Sequence, residues 1–176
     1  MDKYYLINNG IVVNHLIGNI PLEENQILVN QTSSNIPMSI GDYYDSGTNT
    51  FTKKPQVHLS VDSNLYDPEL TYDYIIYTGS HSVTLDIYTS EEISDVKEEY
   101  LSSPNLSISN FSYNSSTKES TFDIEATSEV VNTTTGSINI SLNLDLSQIS
   151  SSLGLTPVPP RYNLGYTNSP QIYPQN

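Results

Sequence analysis

The sequence predicts an all-β protein on three grounds: apolar and polar residues alternate in several short runs, an Asn-Gly turn joins two apolar stretches, and the residue mix disfavours helices. The alternation is cleanest at Ile138, Ile140, Leu142, Leu144 and Leu146, interleaved with Asn139, Ser141, Asn143 and Asp145. A period of two places the apolar side chains on one face of a strand and the polar ones in water. The turn is Asn8-Asn9-Gly10, where a tight hairpin needs positive φ at both central residues. Asn, Ser, Thr and Tyr are abundant, Trp and Cys are absent, and Ala occurs once. Few strong helix formers and many β-branched or aromatic residues favour strands.

Three regions follow in chain order. Residues 1–54 read as a small β module: a strand from Lys3 to Ile7, the Asn-Gly turn, and a returning strand from Ile11 to Ile17. Ile27-Leu28-Val29 is a third short strand. Tyr43-Tyr44 and Thr50-Phe51-Thr52 form a second pair around the turn Asp45-Ser46-Gly47-Thr48. Residues 55–150 read as an immunoglobulin-like β-sandwich, because about seven short alternating strands broken by turns are the pattern of that architecture. Its strands hold Val57, Leu59 and Val61; Tyr72, Tyr74 and Ile76; Val83, Leu85 and Ile87; Leu106 and Ile108; Phe122, Ile124 and Ala126; and the run ending at Leu146. One short crossover helix is expected within it. Thr89-Ser90-Glu91-Glu92 matches a capping box, Ile93, Val96 and Tyr100 share a helical face, and Ser103-Pro104 would end it. Residues 151–176 read as an extended Pro-rich tail without a core of its own. Such a tail orders against a partner, with Tyr162, Tyr166, Ile172 and Tyr173 as partner-binding anchors, and its loss should hardly change thermal unfolding.

Charge and composition narrow the function. The net charge is -14, with six Lys and Arg against twenty Asp and Glu. Phosphate backbones and anionic membranes both need clustered cations, so neither nucleic acid nor a membrane is an expected partner. Without Cys there is no disulfide framework, thiolate zinc site or thiol nucleophile. The start Met1-Asp2-Lys3-Tyr4-Tyr5 has no apolar leader, which predicts synthesis in a cytoplasm.

No enzyme and no cofactor are expected. His15, His58 and His81 are isolated, the first two within strands and the third in a turn, and no nucleophile-elbow, phosphate-loop or zincin motif occurs. Asp67 with Glu69, and Glu98 with Glu99, could be paired carboxylates, but they lack the flanking aromatics of a sugar cleft and read as exposed charge. Asp62, Asn64, Asp67 and Glu69 could offer oxygen ligands to Ca²⁺, yet their spacing is no EF-hand, and such residues in turns commonly bond their own backbone.

Two stretches carry a family likeness: Tyr4-Tyr5-Leu6-Ile7-Asn8-Asn9-Gly10-Ile11-Val12-Val13-Asn14, and Ile40-Gly41-Asp42-Tyr43-Tyr44-Asp45 with Phe51 beyond. Together they resemble the N-terminal module of bacteriophage tail-fibre, fibre-assembly and other virion structural proteins, over about a third of the chain. The resemblance implies an exterior structural protein of a tailed phage virion, made in the host cytoplasm. It would serve as capsid decoration or cement, head fibre or tail appendage, the module docking on the particle and the sandwich projecting. The implied partners are other virion proteins, further copies of the chain in a homo-oligomer or multi-copy assembly, and host surface glycans. The rival class is a bacterial surface adhesin or carbohydrate-binding sandwich, which exposed Tyr residues also suit.

Overall fold

The computed structural model of the chain describes residues 2–18, 20–33, 37–63, 65 and 71–168. It divides into two compact units. The first comprises residues 1–55, 89–93 and 150–157, and the second residues 56–88, 94–149 and 158–176.

The first unit grows from the Asn-Gly hairpin. Strands β1 (Lys3–Asn8) and β2 (Ile11–Ile17) pair antiparallel, and Asn9 and Gly10 have φ of 50° and 80°, as a two-residue hairpin turn of this type requires. Strand β3 (Gln26–Asn30) joins β1, while β4 (Tyr43–Asp45) and β5 (Thr50–Thr52) extend the other side, giving the order β3-β1-β2-β4-β5. One face buries Tyr5, Ile7, Val12, Val29, Met38 and Tyr44, with Phe51 packed against them. The Tyr5 hydroxyl accepts from the Met38 amide at 3.2 Å, and the Tyr44 hydroxyl donates to Asn49 Oδ1 at 2.9 Å, so both phenols satisfy their polar ends.

The second unit is all-β and sandwich-like. Its strands are β6 (Gln56–Val61), β7 (Tyr74–Ile76), β8 (Ser80–Tyr88), β9 (Leu101–Ser102), β10 (Leu106–Asn114), β11 (Glu119–Ala126), β12 (Ser137–Ile140), β13 (Asn143–Leu144) and β14 (Leu164–Thr167). They form a four-stranded antiparallel sheet β10-β11-β8-β6, a three-stranded sheet β12-β14-β7 and a two-stranded ribbon β13-β9. Alternation decides which side is buried: Val83, Leu85 and Ile87 on β8 and Phe122, Ile124 and Ala126 on β11 all point inward. Leu59 and Leu85 on that inner face meet Leu142, Leu144 and Tyr162 around a common cavity, so the smaller sheets cover the larger one. At the margins of the large sheet, Val57 N–H donates to Val158 O at 3.2 Å beside β6. On β10 the register shifts between Ser109 and Ser112, and Asn110 sits at φ 54°. There its amide donates to Asp123 at 2.7 Å. That bond, with one from the Ser82 hydroxyl, holds the Asp123 carboxyl below its ordinary range.

Three expectations change. The crossover helix at residues 89–103 is absent. The Thr89 hydroxyl accepts from the Glu91 amide at 3.0 Å in a local turn, Ile93 bridges to Ser151, Glu98–Tyr100 form a single 3-10 turn, and Leu101–Ser102 pair with β13. Strand pairing takes residues whose spacing also suits a helix. The one α-helix among the described residues, α1, is Ser128–Thr133.

The run from Ile138 to Leu146 keeps its alternation of burial but is not one strand. It leaves β14 after Ile140 and resumes against β9 at Asn143.

The Pro-rich segment is no tail over its described residues. Leu164 and Tyr166 are 2% and 0% exposed, and β14 lies between β12 and β7, antiparallel to one and parallel to the other. The Tyr166 hydroxyl donates to Asn168 Oδ1 at 2.5 Å, and Asn168 in turn donates to the Val131 carbonyl of α1 at 2.9 Å. Only two inward residues mark so short a strand, and the neighbouring prolines hide it from a periodicity reading.

The central place of β14 sets the outcome of truncation. Removing residues 158–176 is expected to abolish cooperative unfolding of the second unit, and Tyr166→Ala to cost about 3–5 kcal/mol. Urea unfolding followed by circular dichroism checks both. An unchanged transition in the truncated chain would return the segment to the status of a tail.

Candidate functional site

The Gly-Asp stretch of the first unit is built for internal bonding. Asp42 is 1% exposed, and its carboxylate accepts from the Ser39 amide at 2.7 Å and the Lys54 amide at 3.0 Å. A buried carboxylate needs such partners to offset lost hydration. Gly41, at φ 90°, donates to Val12 O at 2.7 Å, Val12 N–H donates to Asp42 O at 2.9 Å, and Tyr44 N–H donates to Gly10 O at 2.6 Å. A Cβ on Gly10 would come within 2.8 Å of the Tyr43 ring, so glycine is needed there for space as well as for φ. The stretches 4–14 and 40–45 are therefore hydrogen-bonded to each other.

The second unit holds the more open chemistry. Where the chain passes from β12 to β13, Ser141 and Leu142 leave the ladder, and the Tyr162 hydroxyl donates to Leu142 O at 2.6 Å. Burial raises the Tyr162 phenol above its ordinary value. Tyr162 borders two spaces. One is a pocket of ≈ 210 Å³ lined chiefly by leucines and Pro159–Pro160. The other is a groove of ≈ 380 Å³ lined by Asn139, Ser141, Asn143 and Asn163 together with Ile140, Leu142 and Leu164. Nothing that lines the groove is ionisable except Tyr162, so its chemistry is that of neutral hydrogen-bond donors and acceptors.

The four residues expected to anchor a partner separate. Tyr162 is half-buried at this groove, Tyr166 is a core residue with no exposed surface, and Ile172 and Tyr173 lie outside the described residues. Of the oxygen ligands considered for calcium, Asp62 is exposed with its carbonyl beside the His81 ring at 3.2 Å, and Asn64, Asp67 and Glu69 lie outside the described residues. His81 is on β8, not in a turn, and is 6% exposed. His15 lies edge-on to Tyr5 and His58 edge-on to Tyr88, and Glu98 and Glu99 are exposed. Among the described residues no three His, Asp or Glu gather as a metal site. Sequence reasoning missed Asn139, Ser141 and Asn143 as groove residues, because they first appear as the solvent side of an ordinary strand. Comparison with family models, with curated proteins and with solved structures returns no match to this chain.

Two substitutions test these roles. Asp42→Ala strands two amides and is expected to destabilise the chain by roughly 3 kcal/mol, with Asp42→Asn intermediate; equal stability of all three in urea would deny the clamp. For Tyr162, a folded value raised above the ordinary tyrosine range means that the folded state holds the proton more tightly. Its stabilising contribution is complete below about pH 10 and is lost as pH climbs through the folded value. Tyr162→Phe should then cost about 1 kcal/mol at neutral pH and make the alkaline loss of stability shallower. Parallel alkaline limbs for the two proteins would contradict this.

Proposed function

We propose that the chain is an exterior structural protein of a tailed bacteriophage, acting through protein–protein contacts in a multi-copy assembly. The observation that carries this reading is the mutual bonding of the two stretches that resemble virion modules. They belong to one small sheet with its own buried cluster, the form a separable docking module needs. The strand order of the second unit supports an immunoglobulin-like sandwich as the projecting part. Taking β6, β8, β10 and β11 as strands A, B, D and E gives the A-B-E-D order, and β9, the interrupted β12–β13 and β14 take the places of C, F and G.

In this reading the capsid or tail surface receives the first unit, and the acidic second unit faces the medium. A free-standing adhesin or carbohydrate-binding module would instead travel with the cell envelope. Density-gradient purification of particles from a lysed host, followed by peptide mass spectrometry and antibody labelling in the electron microscope, separates the two. The expected result is stoichiometric protein on the particle exterior, lost when residues 1–55 are deleted. Particles free of the protein would overturn the proposal.

A further inference from the structure

We infer that the outer edge of β12 pairs antiparallel with β12 of a second copy of this chain. The inference stands on that edge alone and not on the particle assignment. β12 is an outer strand in the order β12-β14-β7, and among the described residues it pairs only with β14. A strand turns alternate backbone groups to its two sides, so bonding on one side leaves a row of N–H and C=O groups on the other. The comparable strands of the second unit are covered or broken. Val158 lies along β6, the register of β10 shifts beside Asn110, and the Ile75 carbonyl of β7 accepts from the Ser63 hydroxyl. β12 pairs without a register shift, and it holds no proline or charged side chain to deter a newcomer.

Two observations select a second copy as the occupant. The first is the stretch Ser137-Ile138-Asn139-Ile140-Ser141, which reads the same in both directions. A two-fold interface sets one surface against itself, so a residue on the axis meets its own copy. With Asn139 on that axis, Ile138 lies opposite Ile140 of the other copy and Ser137 opposite Ser141, so every cross-strand pair joins like with like. Ile138 is half-buried and Ile140 buried, so the aliphatic pairs extend the inner face of the sheet. Asn139 is exposed, and each of its carboxamides offers the donor and acceptor that the other needs. The second observation is charge. Copies of a chain carrying -14 repel, yet residues 130–144 contain no ionisable side chain, so here two copies meet without opposed carboxylates. Three strands from each copy would form one continuous sheet. So short a strand buries less area than a stable interface needs, which makes the pair a weak dimer.

The test uses the full chain in sedimentation velocity and protein NMR over a range of concentrations. A monomer–dimer equilibrium with Kd of about 0.1–1 mM is expected, with amide shifts at residues 137–141 that move with concentration. Asn139→Lys and Asn139→Asp each set like charges face to face across the axis and should weaken dimerisation roughly fivefold. An equimolar mixture of the two sets opposite charges together and should restore it. Residue 139 is exposed, so both variants should melt as the parent does. A chain still monomeric at about 2 mM would leave the edge to another protein's strand or to residues 169–176, and would overturn the inference. Single variants that dimerise as the parent does, or a mixture that dimerises no better than its components, would overturn it as well.

Discussion

The smaller sheet of the second unit depends on four residues near its end finding their slot. β14 must sit between β12 and β7, with Leu164 and Tyr166 facing inward, before the smaller sheet exists at all. It pairs in parallel with Tyr74–Ile76, a partner some ninety residues earlier in the chain, as the Asn163 amide bond to Asp73 also reflects. Such a closure costs considerable chain entropy, which a four-residue strand offsets only by burying its aromatic ring and satisfying the hydroxyl. The Tyr166–Asn168 bond does the second task and then carries the constraint on to α1. The three-stranded sheet and the groove at its end take their shape from this one insertion.

Local chemistry was legible in the sequence wherever one residue type permits one conformation. Asn9-Gly10 specifies its turn, and the inward residues of β8 and β11 follow from a period of two. Partner choice was not legible. Ile138 to Leu146 alternates without a break, yet its two halves pair with different strands, because a side chain's direction is set by its own strand and the ladder by distant ones. The same gap explains the missing helix: Thr89 and Glu92 look like a capping box, but Ile93 and Leu101 bridge instead to Ser151 and Leu144. The groove was invisible for a further reason. Its asparagines come together only once the chain around Asn163 is set beside β12.

Most residues of the stretches 4–14 and 41–45 are buried, half-buried or bonded to the backbone, so they specify the module rather than what it touches. Gly10 gives way to the Tyr43 ring, and Asp42 joins the Ser39 turn to Lys54, just after β5 in the same unit. Recognition then falls to side chains that the scaffold leaves exposed, among them Ile17, Ile27 and Ile40 in the first unit. A division between residues that make a module and residues that aim it is expected where one fold serves many partners.

The margins of the four-stranded sheet bear on how copies of this chain tolerate crowding. An uncovered strand edge is a template on which a neighbouring molecule can add its own strand. Here Val158 lies along β6, and on β10 the left-handed Asn110 and its register shift break the straight row of backbone groups a newcomer would need. Neighbours carrying the same charge of -14 also repel as they approach. A neighbouring molecule is therefore hindered from adding its own strand at either margin of this sheet.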